Sequence, residues 1–126
     1  MRVQVTEAPP NSMFFLSGRM ETEFLNTDPR LLEPGAPEIW SKPTIISVGC
    51  LCFVDGETSL TITDEPGWPD IAPSFDGMLE TPDRIFLVST SEREILLTAQ
   101  VPEKETRVRI WTNDRVEPEE ILIHLN

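Results

Sequence analysis

The sequence is poor in the residues that most enzymes use for acid–base, nucleophilic or metal chemistry. It has one histidine, two cysteines and no tyrosine. It contains no G-x-S-x-G elbow, no G-x-G-x-x-G turn, no G-x-x-x-x-G-K-[ST] loop and no H-E-x-x-H pair, which removes the local signals of hydrolase, dinucleotide, P-loop and zincin chemistry. We therefore expect no catalytic residues, no metal site and no cofactor.

Positive charge is also scarce. Ten lysines and arginines stand against 22 aspartates and glutamates, so the formal net charge is -12. Nucleic acid and anionic membranes are bound through basic surfaces, so we expect neither as a partner. A basic protein is the partner that this charge favours. The sequence leaves the oligomeric state open.

Long apolar runs are missing as well. No stretch approaches the roughly 18 apolar residues of a membrane-spanning helix, and the first residues lack the apolar segment of a signal peptide. Cys50 and Cys52 share one face of an extended strand and lie too far apart there for a disulfide. We expect a cytoplasmic protein whose two free thiols act as small apolar residues rather than as metal ligands.

Alternation of apolar and polar residues with a period of two is the dominant pattern, and it is typical of β-strands. Twelve prolines are spread along the chain and leave few windows for a helix. We expect one all-β domain over residues 1–126, an antiparallel β-sandwich of about eight strands, with a small β-barrel as the alternative. Outside the two hairpins described next, strands are predicted at residues 2–7, 12–18 (with an extension to 24), 84–89 and 121–125.

The first predicted hairpin spans residues 44–63. Asp55-Gly56 separates two β-prone runs, and such a dipeptide is a strong signal for a two-residue hairpin turn. The register that follows sets Leu51 opposite Leu60 and Phe53 opposite Thr58.

The second predicted hairpin spans residues 94–112, with a four-residue loop at 102–105. This register sets Ala99 opposite Val108, so that both strands agree on which face is apolar. A tight turn at residues 90–93 joins the hairpin to the strand before it.

The outer face of this second hairpin carries Arg107, Arg109 and Trp111 at alternate positions. One interpretation is a charge ladder, in which each guanidinium meets Glu94 or an acid on a neighbouring strand, and this is the interpretation that we favour. The other is a recognition patch, because arginine and tryptophan are enriched in interface hot spots. The predicted neighbours of the patch are Leu96, opposite Trp111, and Leu122 and His124, if the last strand lies beside it.

No strand is predicted in two stretches. Residues 26–42 hold at most one helical turn, at 28–32. The acidic loop 64–76 matches no calcium-loop spacing, and we expect it to be solvated. Within it, Trp68 either plugs the end of the sandwich, which we favour, or is exposed as a contact anchor.

Part of the chain resembles a known family. Residues 95–102 (ILLTAQVP) and 107–112 (RVRIWT) are similar to the strand, proline-containing turn, strand and Trp-Thr ending of small bacterial competence-nuclease inhibitor proteins. Residues 103–105 (EKE) stand where that family has a glycine. The resemblance covers the last third of the chain and implies an acidic, cytoplasmic, non-catalytic inhibitor, but it transfers no functional residue.

These observations predict a non-enzymatic acidic protein-interaction domain, of the inhibitor or immunity type, for a basic partner such as a nuclease. The net charge would speed encounter, and Arg107, Arg109, Trp111 and Trp68 are the candidate binding residues. The alternative is a small-ligand or carbohydrate-binding module that uses the loop 64–76.

Overall fold

A computed structural model of the protein describes residues 1–19, 39–52, 54–114 and 117–126. In these ranges the four strands predicted outside the hairpins are confirmed, and no helix has the length and apolar character needed to cross a membrane. The elements are β1 (Arg2–Glu7), a 3-10 turn (Pro10–Ser12), β2 (Met13–Ser17), β3 (Ile39–Lys42), β4 (Ile45–Gly49), β5 (Thr58–Thr63), β6 (Phe75–Glu80), β7 (Ile85–Ser89), β8 (Ile95–Gln100), β9 (Glu105–Thr112) and β10 (Glu120–Leu125).

The strands form two five-stranded sheets. Sheet A has the order β1-β5-β10-β9-β6, and sheet B has the order β3-β4-β2-β7-β8. Strands β5 and β10 pair in parallel, and the other paired strands are antiparallel. Within the described ranges the sheets do not close into a barrel, so the β-sandwich is confirmed and the barrel alternative is wrong.

The core lies between the sheets, where alternate residues of each strand point inward. One continuous cluster joins side chains of both sheets. Each large side chain that is fully buried there stabilises the fold by about 1.5–3 kcal/mol. The largest side chains of this cluster are Phe14, Leu16, Ile46 and Phe86 from sheet B, and Leu60, Ile62, Leu79, Ile110, Ile121 and Ile123 from sheet A.

The thiol of Cys50 belongs to this core and is 4% exposed. Burial raises its pKa to about 11, so the neutral thiol is the stable form at physiological pH. This confirms the prediction that Cys50 acts as a small apolar residue. Cys52 is also a free thiol, and it is half-buried.

The pairing predicted for the first hairpin is wrong. Strand β4 pairs with β2 and β3 in sheet B, whereas β5 pairs with β1 and β10 in sheet A. A turn does form, because the Asp55 N–H donates to the Cys52 carbonyl at 2.8 Å. It carries the chain between sheets, however, and the Leu51 N–H donates to Pro118 rather than facing Leu60. Phe53 lies outside the described residues.

The second predicted hairpin is also a crossing between sheets. Strand β8 pairs with β7 in sheet B, and β9 pairs with β6 and β10 in sheet A. Ala99 and Val108 therefore reach the core from opposite sheets, and Leu96 does not lie opposite Trp111. The turn before β8 is confirmed, since the Thr90 N–H donates to the Glu94 carbonyl at 3.0 Å.

Strands β3 and β6 form where none is predicted. Both are edge strands, and β6 has a loop-like composition because it contains Asp76, Gly77 and Glu80. Its inward-facing Leu79 is nevertheless fully buried, which fixes its register against β9. The predicted helical turn at 28–32 and the extension of β2 to residue 24 fall outside the described residues.

Candidate functional site

The outer face of sheet A brings together the side chains that the sequence singled out. Alternate residues of its strands point away from the core, and the pairing register aligns them in rows that run across the sheet. The first row holds Thr6, Ser59 and Glu120; the second holds Gln4, Thr61, Leu122 and Trp111; the third holds Arg2, Thr63, His124, Arg109 and Asp76.

Residues 64–74, here the covering loop, fold back over part of this face. The indole N–H of Trp111 donates to the Ile71 carbonyl at 2.8 Å. The backbone at Gly67 lies against the Trp111 ring, so closely that a Cβ at residue 67 would be 2.4 Å from its Cη2 atom. As a result Trp111 is only 6% exposed. The recognition-patch interpretation requires an exposed Trp111, whereas the structure shows a buried anchor for the covering loop.

Arg107 lies at the exposed margin of the face. Its Nε and Nη2 atoms donate to the two carboxylate oxygens of Asp76 at 2.9 and 2.7 Å. These hydrogen bonds hold the pKa of Asp76 below its usual range. Because Asp76 lies on the neighbouring strand β6, the charge-ladder interpretation is confirmed for Arg107. To bind a partner protein through its guanidinium, Arg107 would have to give up its ion pair with Asp76.

Arg109 contacts the single histidine of the chain. Its Nη2 atom lies 3.0 Å from Nδ1 of His124 on β10. A guanidinium can only donate, so Nδ1 accepts this hydrogen bond and the imidazole carries its proton on Nε2. Burial and the positive charge of Arg109 both lower the pKa of His124. His124 does lie on the outer face, as predicted, but at 7% exposure it is not a surface imidazole.

Trp68 lies over the outer face and does not plug the end of the sandwich. It is half-buried and forms one wall of a cavity of about 150 Å³ between the covering loop and strands β1, β5 and β10. The other lining residues are Arg2, Gln4, Ser59, Thr61, Glu120, Ile121 and Leu122.

The cavity has free polar groups at both ends. Arg2 belongs to the third row and Glu120 to the first, and neither side chain is paired with another residue in the described part of the chain. Between them, the Gln4 amide donates to the Ser59 hydroxyl at 2.5 Å. The site therefore offers an aromatic wall, a carboxylate and a guanidinium that are open to a bound group.

Carboxylates gather at one end of sheet A, here called the acidic end. Strand β1 finishes there, and β5 and β10 begin there, as the pairing of Glu7 with Thr58 and of Glu120 with Ser59 shows. Such clustering concentrates negative potential next to the Glu120 end of the cavity. The acids at this end are Glu7, Asp55, Glu57, Glu117, Glu119 and Glu120.

The sequence identified Trp68 as a candidate binding residue but not the residues that line the cavity with it. Arg2, Gln4 and Glu120 face the same cavity as Trp68, but they come from strands whose pairing was not predicted. The signal that could have found Arg2 and Gln4 is the alternation of β1, which puts both on one face. In the described residues, no three histidine, cysteine, aspartate or glutamate side chains are grouped to hold a metal ion.

The protein is thus an open β-sandwich in which a loop covers part of one outer face. Comparison with known proteins shows a similar fold in a solved structure. The sequence matches no known protein family and no curated protein. The fold is similar to that of ComJ from Bacillus subtilis, an inhibitor of the DNA-degrading activity of NucA, with a TM-score of 0.58. That likeness covers 99% of this chain and 93% of ComJ at 7% sequence identity.

A second solved structure is the product of crocagin biosynthetic gene J. Its TM-score is 0.47 at 8% identity, over 98% of this chain and 94% of that one. At 7% identity, the comparison with ComJ shows similarity of fold alone. The likeness to ComJ nevertheless extends over the whole chain, whereas the resemblance found in the sequence was confined to the last third.

Proposed function

We propose that this protein is a non-enzymatic, cytoplasmic, single-domain inhibitor that binds a basic protein, with a DNA-degrading nuclease as the preferred target. The observation that carries the proposal is the likeness of its fold to an inhibitor of a nuclease, over 99% of the chain. The formal net charge of -12 supports it independently, because a nuclease that holds DNA needs a basic surface.

The acidic end supplies the long-range part of this interaction. Clustered carboxylates raise the rate of encounter with a cationic partner, and this effect weakens as salt screens the charges. Contact residues must then supply affinity. Arg107 and Trp68 are accessible for that purpose, Arg109 is half-buried, and Trp111 supports the covering loop from below.

The experiment is capture followed by reconstitution. The tagged protein is used to isolate binding proteins from an extract of its source organism at low salt and at about 0.5 M NaCl, where the Debye length falls well below its value of roughly 10 Å at 0.1 M. We expect a basic protein to be captured at low salt only. After purification, that protein should degrade DNA and should lose this activity when one equivalent of the inhibitor is added.

Two charge-reversed variants test the acidic end. Glu117→Lys with Glu119→Lys alters that end, and Glu92→Lys with Glu103→Lys changes the net charge equally in other loops. We expect the first pair to slow association several-fold more than the second, because steering depends on where charge is placed as well as on its sum. Capture that is indifferent to salt, or a captured protein without nuclease activity, would contradict the proposal.

The cavity beside Trp68 favours one second candidate function, a small-ligand or carbohydrate-binding module that uses the loop 64–76. A half-buried indole that lines a cavity beside hydrogen-bonding side chains is suited to a small amphipathic ligand. Titration with a panel of monosaccharides and with CaCl₂, followed by tryptophan fluorescence, tests this alternative. A saturable change that disappears in Trp68→Leu would support it.

A further inference from the structure

The cavity beside Trp68 has one negative end and one positive end. Glu120 stands in the first row and Arg2 in the third, and the rows are separated by four residues along a strand. At about 3.3 Å per residue, the two ends lie roughly 13 Å apart along the strand direction. We propose that this cavity receives an arginine side chain of the basic partner, with the guanidinium at Glu120, an inference that rests on the proposed function.

The walls of the cavity match the parts of an arginine side chain. Trp68 offers an indole face on which a guanidinium can stack, and this is the aromatic ring that attracts cations best. Leu122 lines the same cavity and supplies an apolar surface for the methylene groups. The Glu120 carboxylate, which has no partner among the described residues, can accept two parallel N–H bonds.

Arg2 gives the site a direction. A positive group at the far end of the cavity repels a second guanidinium and leaves the Glu120 end as the favourable position. That end adjoins the acidic end of sheet A, where Glu7 adds to the negative potential. An incoming cation is therefore drawn to the end of the cavity that holds the free carboxylate.

Arginine fits this site better than lysine. Its planar guanidinium stacks on an aromatic ring and binds a carboxylate through two N–H groups at once, whereas an ammonium is a strongly hydrated point charge. The other tryptophan on this face cannot substitute for Trp68. The covering loop buries the Trp111 ring, and its N–H is already bonded to Ile71.

The test uses N-acetyl-argininamide as the probe and the indole N–H signals of the 15N-labelled protein as the readout. We expect the Trp68 signal to shift saturably and the Trp111 signal to stay unchanged, which also shows that the fold is intact. N-acetyl-lysinamide should bind several-fold more weakly. Glu120→Gln should weaken binding of the arginine probe by roughly tenfold, as charge-assisted hydrogen bonds are about twice as strong as neutral ones.

Glu119→Gln is the matched control, because it removes the same charge from the adjacent residue, which does not line the cavity. It should leave binding of the probe within about twofold of the wild type, as expected for a screened, more distant charge. Trp68→Leu keeps an apolar wall without the π face and should weaken binding, whereas Trp68→Phe should retain part of it. No shift of Trp68 with the arginine probe, or equal binding by Glu120→Gln, would overturn the inference. A shift with glucose or galactose but not with arginine would overturn it in favour of a saccharide site.

The inference and the proposed function can fail separately. If the wild type inhibits its nuclease and the Glu120→Gln and Trp68→Leu variants inhibit it equally well, the arginine site is wrong and the inhibitor proposal stands. If the arginine probe binds at Trp68 but no nuclease is captured or inhibited, the inhibitor proposal is wrong and the preference of the cavity for arginine stands.

Discussion

Two tryptophans on the same face of sheet A lie in opposite environments. Trp111, on strand β9, is 6% exposed, and its N–H is bonded to the covering loop. Trp68, within that loop, is half-buried and lines an open cavity. From the sequence, Trp68 is the ring expected to plug the end of the sandwich, whereas Trp111 is placed on an outer face whose exposure the sequence leaves open. The contrast shows that an aromatic residue on an outward-facing strand position can be buried by a loop that folds over the sheet.

The difference assigns the two rings different roles. Trp111 fixes the covering loop to the sheet, and that loop in turn holds Trp68 over the second row. We therefore expect changes at Trp111 to affect the free energy of unfolding, and changes at Trp68 to affect binding. Three predictions test this division, from the largest effect to the smallest.

The largest effect is expected from Trp111→Ala. Truncation of a buried tryptophan removes apolar contacts and leaves a cavity, so the free energy of unfolding should fall by about 3–5 kcal/mol. It should also leave the Ile71 carbonyl without its donor. Urea denaturation followed by circular dichroism measures the loss. Trp68→Ala is the matched control and should cost about 1 kcal/mol, the central value for point substitutions, because this ring is only half-buried. Equal losses for the two variants would remove the distinction between the rings.

The next effect is expected from Gly67→Ala. A Cβ at this position would lie 2.4–2.6 Å from three atoms of the Trp111 six-membered ring, so the ring or the loop must move. Overpacking of this kind costs about 1–3 kcal/mol. The three atoms are absent from a phenylalanine ring, so Gly67→Ala should cost much less when it is made in Trp111→Phe. A double-mutant cycle measured by urea denaturation checks this coupling, and strict additivity would contradict the contact.

The fold could be predicted from the sequence at the level of strands but not of their partners. Residues 95–101 and 106–110 alternate as a hairpin would, and the side that should face the core does so at Val108. The same alternation arises when two strands face each other across a sandwich, because in both cases one side of each strand is buried. Local pattern therefore cannot separate a hairpin from a crossing between sheets, and both predicted hairpins proved to be crossings.

The candidate site was predictable only in part, because local patterns do not show which strands pair. From the sequence, His124 lies beside Arg109 only if the last strand is the neighbour of β9, and the pairing of β10 with β9 meets that condition. The parallel pairing of β5 with β10 depends on contacts between distant parts of the chain, and it is this pairing that brings Glu120 to the cavity of Trp68. Strand β6 was missed because its glycine and acids resemble a loop, so the acid that pairs with Arg107 was placed in the wrong element.

The smallest effect is a pH dependence beneath the covering loop. Burial and the charge of Arg109 lower the pKa of His124 in the folded protein. At pH values below 6.5, the ordinary pKa of histidine, the unfolded chain therefore binds the proton more readily than the folded protein does. The free energy of unfolding should therefore decrease as the pH falls from about 6.5 toward 5, the range in which an ordinary histidine becomes charged. Asp76, whose pKa is also lowered, contributes only below about pH 4, in the ordinary titration range of carboxyl groups.

His124→Gln isolates this effect, because the amide oxygen can still accept from Arg109 but does not become charged. His124 is the only histidine, so the variant should show a flatter curve of unfolding free energy against pH in that range. Urea denaturation at half-unit pH steps measures both curves. Lys104→Gln is the control: it removes a positive charge from the exposed loop between β8 and β9, which is not among the groups that lower the pKa of His124, and its curve should run parallel to that of the wild type. Parallel curves for His124→Gln and the wild type would contradict the prediction. They would mean that His124 becomes protonated as readily in the folded protein as in the unfolded chain, despite its burial and its contact with Arg109.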